Sequence, residues 1–263
     1  MFESIFLVPP LDASYWVALG LASLLAGFID ATVGGGGLVI VPALFSMLPT
    51  HAAATILGTN KISGLGGTSM SAYQYIQRIP IRWSLVLPAT IAAGIAGAFG
   101  AACVSYVPTQ LFKKGLPFIL AALLIYVVFN AKLGQIKTSV QRKHWAWGVG
   151  FGTLCGLYDG FFGPGTGSFL VLLWVIVYGQ DFMQGSVHAK IVNVGCNIGA
   201  LSWFLPTTLV FIGLGLFMMV GNMTGAWIGA RVAMKRGNGF MRKLLIIVVS
   251  LLCCSTFYDA FLK

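Results

Sequence analysis

The chain has 263 residues, 58% of them apolar and only 8% charged, against roughly 25% charged in water-soluble domains. A single membrane domain covering 1–263 is the economical reading, since no polar block is long enough to fold alone. The net charge of +10 does not point to nucleic acid. Most of the sixteen Lys and Arg sit in short breaks between apolar runs, as orientation signals do, and they form no interleaved basic–aromatic surface.

Residues 1–12 hold no Lys or Arg, so the basic region of a cleaved leader is missing and the first span is expected to remain. Ten apolar segments follow, at about 13–33, 37–48, 52–76, 83–105, 110–130, 145–162, 167–178, 183–204, 208–232 and 240–261. The second and seventh fall short of the ~20 residues that one bilayer span needs. Each adjoins a glycine-rich break, Gly34 to Gly37 in one case and Gly163-Pro164-Gly165-Thr166-Gly167 in the other. Short segments beside such interruptions, at matching places in two halves, mark the binding site of a transporter.

The halves match at a constant offset of 129 residues: Gly27 with Gly156, Asp30 with Asp159, Gly34 with Gly163, Lys61 with Lys190, Gly66 with Gly195. Apolar identities come cheaply in such a chain, but coincident Asp/Asp and Lys/Lys pairs do not. The sequence therefore predicts an all-α transmembrane bundle of two five-segment repeats, about 13–130 and 145–261, joined by a linker over 131–144. Charge placement favours inverted repeats. Arg78 and Arg82 follow the third segment while its counterpart at 205–207 has no charge, and the break at 106–110 is uncharged while its counterpart carries Arg231, Lys235 and Arg236. With basic loops inside, the linker is cytoplasmic and both termini lie outside. Lys113-Lys114, near an outer loop, runs against this scheme.

Two kinds of candidate site recur. The first is Asp followed by glycines: Asp30 with Gly34, Gly35, Gly36 and Gly37, and Asp159 with Gly163, Gly165 and Gly167. Glycine lets backbone amides approach a ligand, and an interrupted helix presents free N–H groups and a positive dipole end to an anion. The plainer alternative, close helix packing through small residues, accounts for single glycines better than for two clusters beside intramembrane acids. The second kind is a polar island around each lysine: Asn60-Lys61, and His188, Lys190, Asn193 and Asn197, the last three sharing one helix face. A lysine at mid-bilayer costs about 2.5–3.5 kcal/mol, so two at equivalent places call for a purpose. They can pair with Asp30 and Asp159, supply charge to an anionic substrate, or do both if substrate competes with the carboxylate. The aspartates can also carry coupling protons or cap the helix breaks. His188 suits proton shuttling or a structural hydrogen bond equally. Arg231 is expected to snorkel at a membrane boundary, and Pro42, Pro88, Pro117 and Pro206 to mark kinks or helix ends.

The cysteines Cys103, Cys155, Cys196, Cys253 and Cys254 lack CxxC spacing and read as buried free thiols. No Walker loop, Rossmann fingerprint, HExxH or GxSxG is present, so transport would be secondary rather than ATP-driven. An intramembrane enzyme acting on a lipid would want a metal–carboxylate cluster or a nucleophile, and only two deep acids are offered. No cofactor or metal is therefore expected.

These motifs together resemble the sulfite exporter TauE/SafE family of anion permeases, closest to its YfcA-like branch. The carrying residues are Gly27-Phe28-Ile29-Asp30 with Gly34 to Gly37 and Pro42, then Thr59-Asn60-Lys61. In the second half they are Tyr158-Asp159-Gly160-Phe161-Phe162-Gly163-Pro164, then His188-Ala189-Lys190 and Asn193. The resemblance implies transport of small sulfur-containing anions, sulfite or sulfonates, across a bacterial cytoplasmic (inner) membrane. The residues themselves reach a small anion bound between the halves, held by Lys61, Lys190, Asn60, Asn193, Asn197 and the glycine-break amides, with a proton or sodium as coupling ion. A homodimer is compatible with this reading. The alternatives are a structural or assembly subunit of the bilayer and a lipid-modifying enzyme.

Overall fold

The computed structural model describes residues 12–107 and 144–261, together with Phe118, Ala121 and Ile125. Residues 1–11, nearly all of the fifth segment and of the linker, and Lys113-Lys114 lie outside the described residues. Every regular element among the described residues is a helix.

Helix α1, Ala13–Val33, begins where the Asp12 carbonyl accepts from the Tyr15 N–H at 3.0 Å. It stops at Gly34, whose φ of 85° only glycine adopts freely, and whose N–H returns to the Asp30 carbonyl at 2.8 Å. Helix α2, Gly37–Met47, is short. At 1.5 Å per residue, the 11 residues of α2 cover about half of a ~30 Å hydrocarbon core. Helices α3, Ala53–Ile76, and α4, Trp83–Val104, complete the first set.

Helix α5, Trp145–Phe161, opens with the His144 side chain accepting from the Ala146 N–H. Helix α6 runs Thr166–Tyr178 between Gly165 (φ 86°) and Gly179 (φ 62°). Helix α7, Phe182–Thr207, is capped by Asp181, whose Oδ1 accepts from the Gln184 N–H at 2.8 Å. Helix α8, Ile212–Phe261, is broken at Gly237, where φ is 75° and ψ is −170°.

Three sequence expectations need correction. The break expected at 205–207 lies three residues later, at 208–211, because Leu205-Pro206-Thr207 forms the last turn of α7, with Pro206 one residue from the helix end as expected. Arg231, Lys235 and Arg236 lie within α8 rather than in a loop, on its exposed side, because the chain turns only at Gly237. The Arg231 guanidinium lies 3.6 Å above the Trp227 ring, a cation–π contact within α8. All five thiols are free, and Cys103 and Cys254 are exposed rather than buried.

Helices α3 and α7 form the centre. Helix α4 covers α7 and packs on α5, while α8 covers α3 and packs on α1. Lipid tails give no hydrophobic gain for helix association, so close backbone approach supplies the attraction. A Cβ on Gly160 of α5 would come 2.0 Å from the Gly97 carbonyl of α4, and one on Gly225 of α8 would come 1.9 Å from the Leu24 carbonyl of α1. Outside, large apolar side chains such as Leu21, Ile95, Phe99 and Val220 are exposed. Inside, Lys61, Lys190, Asp30, Asp159 and several amides are buried. An apolar exterior over a polar centre suits hydrocarbon surroundings.

Candidate functional site

The polar centre is held by two buried ion pairs, each linking a helix from residues 13–104 to one from residues 145–261. The Lys61 ammonium of α3 pairs with Asp159 Oδ2 of α5. The Lys190 ammonium of α7 donates to Asp30 Oδ2 of α1 at 2.8 Å and to the Asp30 backbone carbonyl. Thr68 Oγ1 adds a 3.3 Å hydrogen bond to Asp30 Oδ2. Both lysines are nearly inaccessible, at 2% and 1% exposure, a state tolerable only with such partners.

The two helix breaks meet beside these pairs. A Cβ on Gly34 would lie 2.3 Å from the Gly167 carbonyl carbon, and one on Gly167 would lie 2.3 Å from the Gly34 oxygen. Ser168 Oγ donates to the Val33 carbonyl at 2.9 Å. On the far side of the second break, Tyr158 Oη donates to the Pro164 carbonyl at 2.6 Å, fixing the Gly163-Pro164-Gly165 turn.

Between the breaks and the ion pairs lies a polar cavity of about 30 Å³, room for about two waters. Its walls include Lys61, Asp159 and Asp30, and the amides of Asn60, Asn193 and Asn197. Glycine backbone from Gly34, Gly36 and Gly37 faces it from one break, and from Gly163, Gly165 and Gly167 from the other. Twelve of the residues singled out in the sequence thus converge on one space.

Three do not. Lys190 stands behind Asp30 rather than in the wall, and Gly35 packs against Leu38 and Ile29. His188 is buried elsewhere: its Nδ1 meets Gln180 Oε1 at 2.8 Å, its Nε2 accepts from the Arg82 N–H at 3.4 Å, and its ring packs on Trp174. These bonds make it a structural tie between α7 and the chain ahead of α4. Two polar wall residues escaped the sequence reading, Thr68 and Asn222. The signal for Asn222 was present, a lone amide within the apolar run 208–232. Among the described residues, no group of three or more His, Cys, Asp or Glu is gathered that could hold a metal ion.

The family model described as Sulfite exporter TauE/SafE matches residues 19–256. The chain belongs to this family. Among TauE/SafE relatives, a probable membrane transporter protein named ORF9 from a Sinorhizobium species is 34% identical over 88% of this chain and 87% of its own length. The probable membrane transporter protein YfcA of Escherichia coli K12 is 33% identical over 98% of this chain and 94% of its own. A probable membrane transporter protein of Haemophilus influenzae is 31% identical over 89% and 91%. No solved structure matches the chain. Among the described residues, three helical stretches, Ala13–Val33, Trp83–Val104 and Ile212–Gly237, are long and apolar enough to cross a bilayer. This TauE/SafE chain is a multi-pass bacterial membrane protein.

Proposed function

We propose that the chain is a secondary transporter of small oxyanions of the sulfite type, which bind in the cavity between the two helix breaks. The observation that carries this is Lys61, a buried ammonium that lines a polar cavity while paired to a carboxylate in the same wall. An arriving anion competes with Asp159 for that ammonium, and the Asn60, Asn193 and Asn197 amides offer it hydrogen bonds. The family and the names of its relatives point the same way.

The exchange has an electrostatic consequence. Once the anion takes Lys61, Asp159 is a buried carboxylate without its partner, which costs several kcal/mol unless neutralised. A proton or sodium ion moving with the anion meets that need. Lys190, bonded to Asp30 behind the wall, holds the opposite side fixed.

The walls favour a compact inorganic ion over a sulfonate with a carbon tail. Among the described residues, Ile40 is the one large apolar side chain lining the cavity, so an alkyl tail would find little but glycine and polar atoms. At about 30 Å³ the space must also widen to admit any polyatomic ion, as in the alternating access of halves that rock about a central site.

Those halves are read as two inverted repeats. Three pairs of helices start 129 residues apart, at Gly37 and Thr166, Ala53 and Phe182, Trp83 and Ile212. Gly34 and Gly163, at the same separation, share a φ of 85°. The packing also exchanges symmetrically, α1 on α8 as α5 on α4.

The test is sulfite uptake into proteoliposomes. Lys61→Ala should reduce the initial rate to that of protein-free vesicles while the purified variant keeps its helical circular dichroism. A folded Lys61→Ala protein with the wild-type rate would remove the lysine, and this mechanism, from consideration.

A further inference from the structure

Asn222 plays no part in the ion pairs, yet it is built into the site with unusual care. It lies on α8, 2% exposed, and is one of the cavity walls. Its Nδ2 donates to Ser63 Oγ of α3 at 3.1 Å. Its side chain passes between two glycines: a Cβ on Gly67 would come 2.0 Å from Asn222 Oδ1, and one on Gly27 would come 2.8 Å from the same atom. Both α1 and α3 therefore leave out a side chain where this amide lies. Held in that slot, Oδ1 is a buried acceptor for which the described residues provide no donor.

An unpaired buried acceptor costs about 1–3 kcal/mol, and a wall of the binding cavity is where such a deficit can be met by the cargo. The requirement on that cargo is specific. An oxygen of a fully deprotonated oxyanion brought against a carbonyl oxygen sets acceptor against acceptor. An oxyanion that still carries one hydrogen turns the same encounter into a hydrogen bond. The carboxylates of Asp30 and Asp159, also in the wall, make the same discrimination stronger, while Lys61 supplies the charge that any anion needs.

We propose that Asn222 is a specificity-determining residue whose Oδ1 accepts the hydrogen of a singly protonated oxyanion, so that hydrogen-bearing anions such as hydrogensulfite are bound in preference to isosteric anions without a proton. The inference rests on the anion-transport reading above and goes beyond it in naming the protonation state of the bound species. It works by rejecting the wrong ion as well as by holding the right one.

The experiment is titration calorimetry on the purified full chain in detergent at one mildly acidic pH. The probes are sulfite, selenite and phosphate, which hold a hydrogen there, and sulfate and selenate, which do not. Phosphate and sulfate share a tetrahedral shape, so the comparison separates the proton from the outline of the ion. Wild type should bind the hydrogen-bearing ions about tenfold or more tightly than sulfate and selenate, the worth of one buried hydrogen bond. Both Asn222→Leu and Asn222→Ala should bring that ratio to within about twofold. A wild-type ratio near one overturns the inference even if neither variant folds, and so does a ratio unchanged in a folded variant. Sulfite binding that depends on Lys61 but ignores the anion's hydrogen defeats this inference alone. Absence of binding for every anion defeats the transport reading with it.

Discussion

The ion pair behind the cavity gives the most quantitative handle on this architecture. Lys190 is 1% exposed and its ammonium reaches Asp30 Oδ2 at 2.8 Å. Asp30→Ala leaves a buried ammonium with only a backbone carbonyl, and Lys190→Met leaves a buried carboxylate with only the Thr68 hydroxyl. Breaking one side of such a pair costs about 3–5 kcal/mol, whereas replacing both charges with apolar groups is close to neutral. At about 2–4 °C per kcal/mol for a chain of this size, each single change should lower the apparent Tm by about 6–20 °C. The double Asp30→Ala/Lys190→Met should recover most of that loss. The assay is thermal unfolding of the four proteins in one detergent, followed by circular dichroism, with the coupling taken as the departure from additivity. A double variant as unstable as the two losses summed would refute the reasoning, since it would mean that the two groups do not compensate one another. The same cycle on Lys61 and Asp159 separates stability from transport: Lys61→Met/Asp159→Ala should also regain stability, but should carry no sulfite.

Gly167→Ala places a methyl 2.3 Å from the Gly34 oxygen and 2.7 Å from its Cα. Neither backbone atom can yield, so a loss of about 1–3 kcal/mol and of sulfite uptake is expected in thermal unfolding and proteoliposome assays. His188→Ala should leave uptake within about twofold of wild type, because the ring lies away from the cavity. The same change should cost about 1–3 kcal/mol of stability through loss of the hydrogen bonds to the Gln180 oxygen and from the Arg82 N–H; an uptake loss in a stable His188→Ala protein would return the histidine to the mechanism.

Much of the helix inventory was legible because hydrocarbon demands long apolar runs and glycine punctuates them. The expected 13–33 segment coincides with α1, and the short 37–48 segment with α2 to within a residue. The misreadings have physical causes. The break placed at 205–207 begins three residues later, because a proline in a last turn gives up little and the helix runs on to Thr207. The gap at 233–239 was read as a loop, yet Ala233, Met234, Lys235 and Arg236 are good helix formers, and only Gly237 turns the chain.

The site was legible where its residues recur in both halves, as Asp30 with Asp159 and Lys61 with Lys190, or stand close in the chain to those that do, as Asn60, Asn193 and Asn197. Asn222 stands opposite Ala93 at the 129-residue offset, so internal comparison could not flag it. Lys61 and Lys190 look equivalent in sequence, but only one reaches the cavity. Which side of a carboxylate a long side chain approaches is decided by its neighbours in space, not by its place in the chain. His188 shares a segment with Lys190 and Asn193, but a helix turns about 100° per residue, and two positions ahead of the lysine it meets Trp174 instead.

The contact of Gly34 with Gly167 bears on how the molecule can move. Where side chains interlock, displacing one helix means repacking its neighbours. Where bare main chain lies on bare main chain, a small sliding displacement has the Ser168 hydrogen bond to the Val33 carbonyl to give up but no interlocked side chains to repack. In the proposed rocking of the halves the crossing would serve as a bearing, a fulcrum beside the polar cavity on which a tilt of one side opens a path while the other closes.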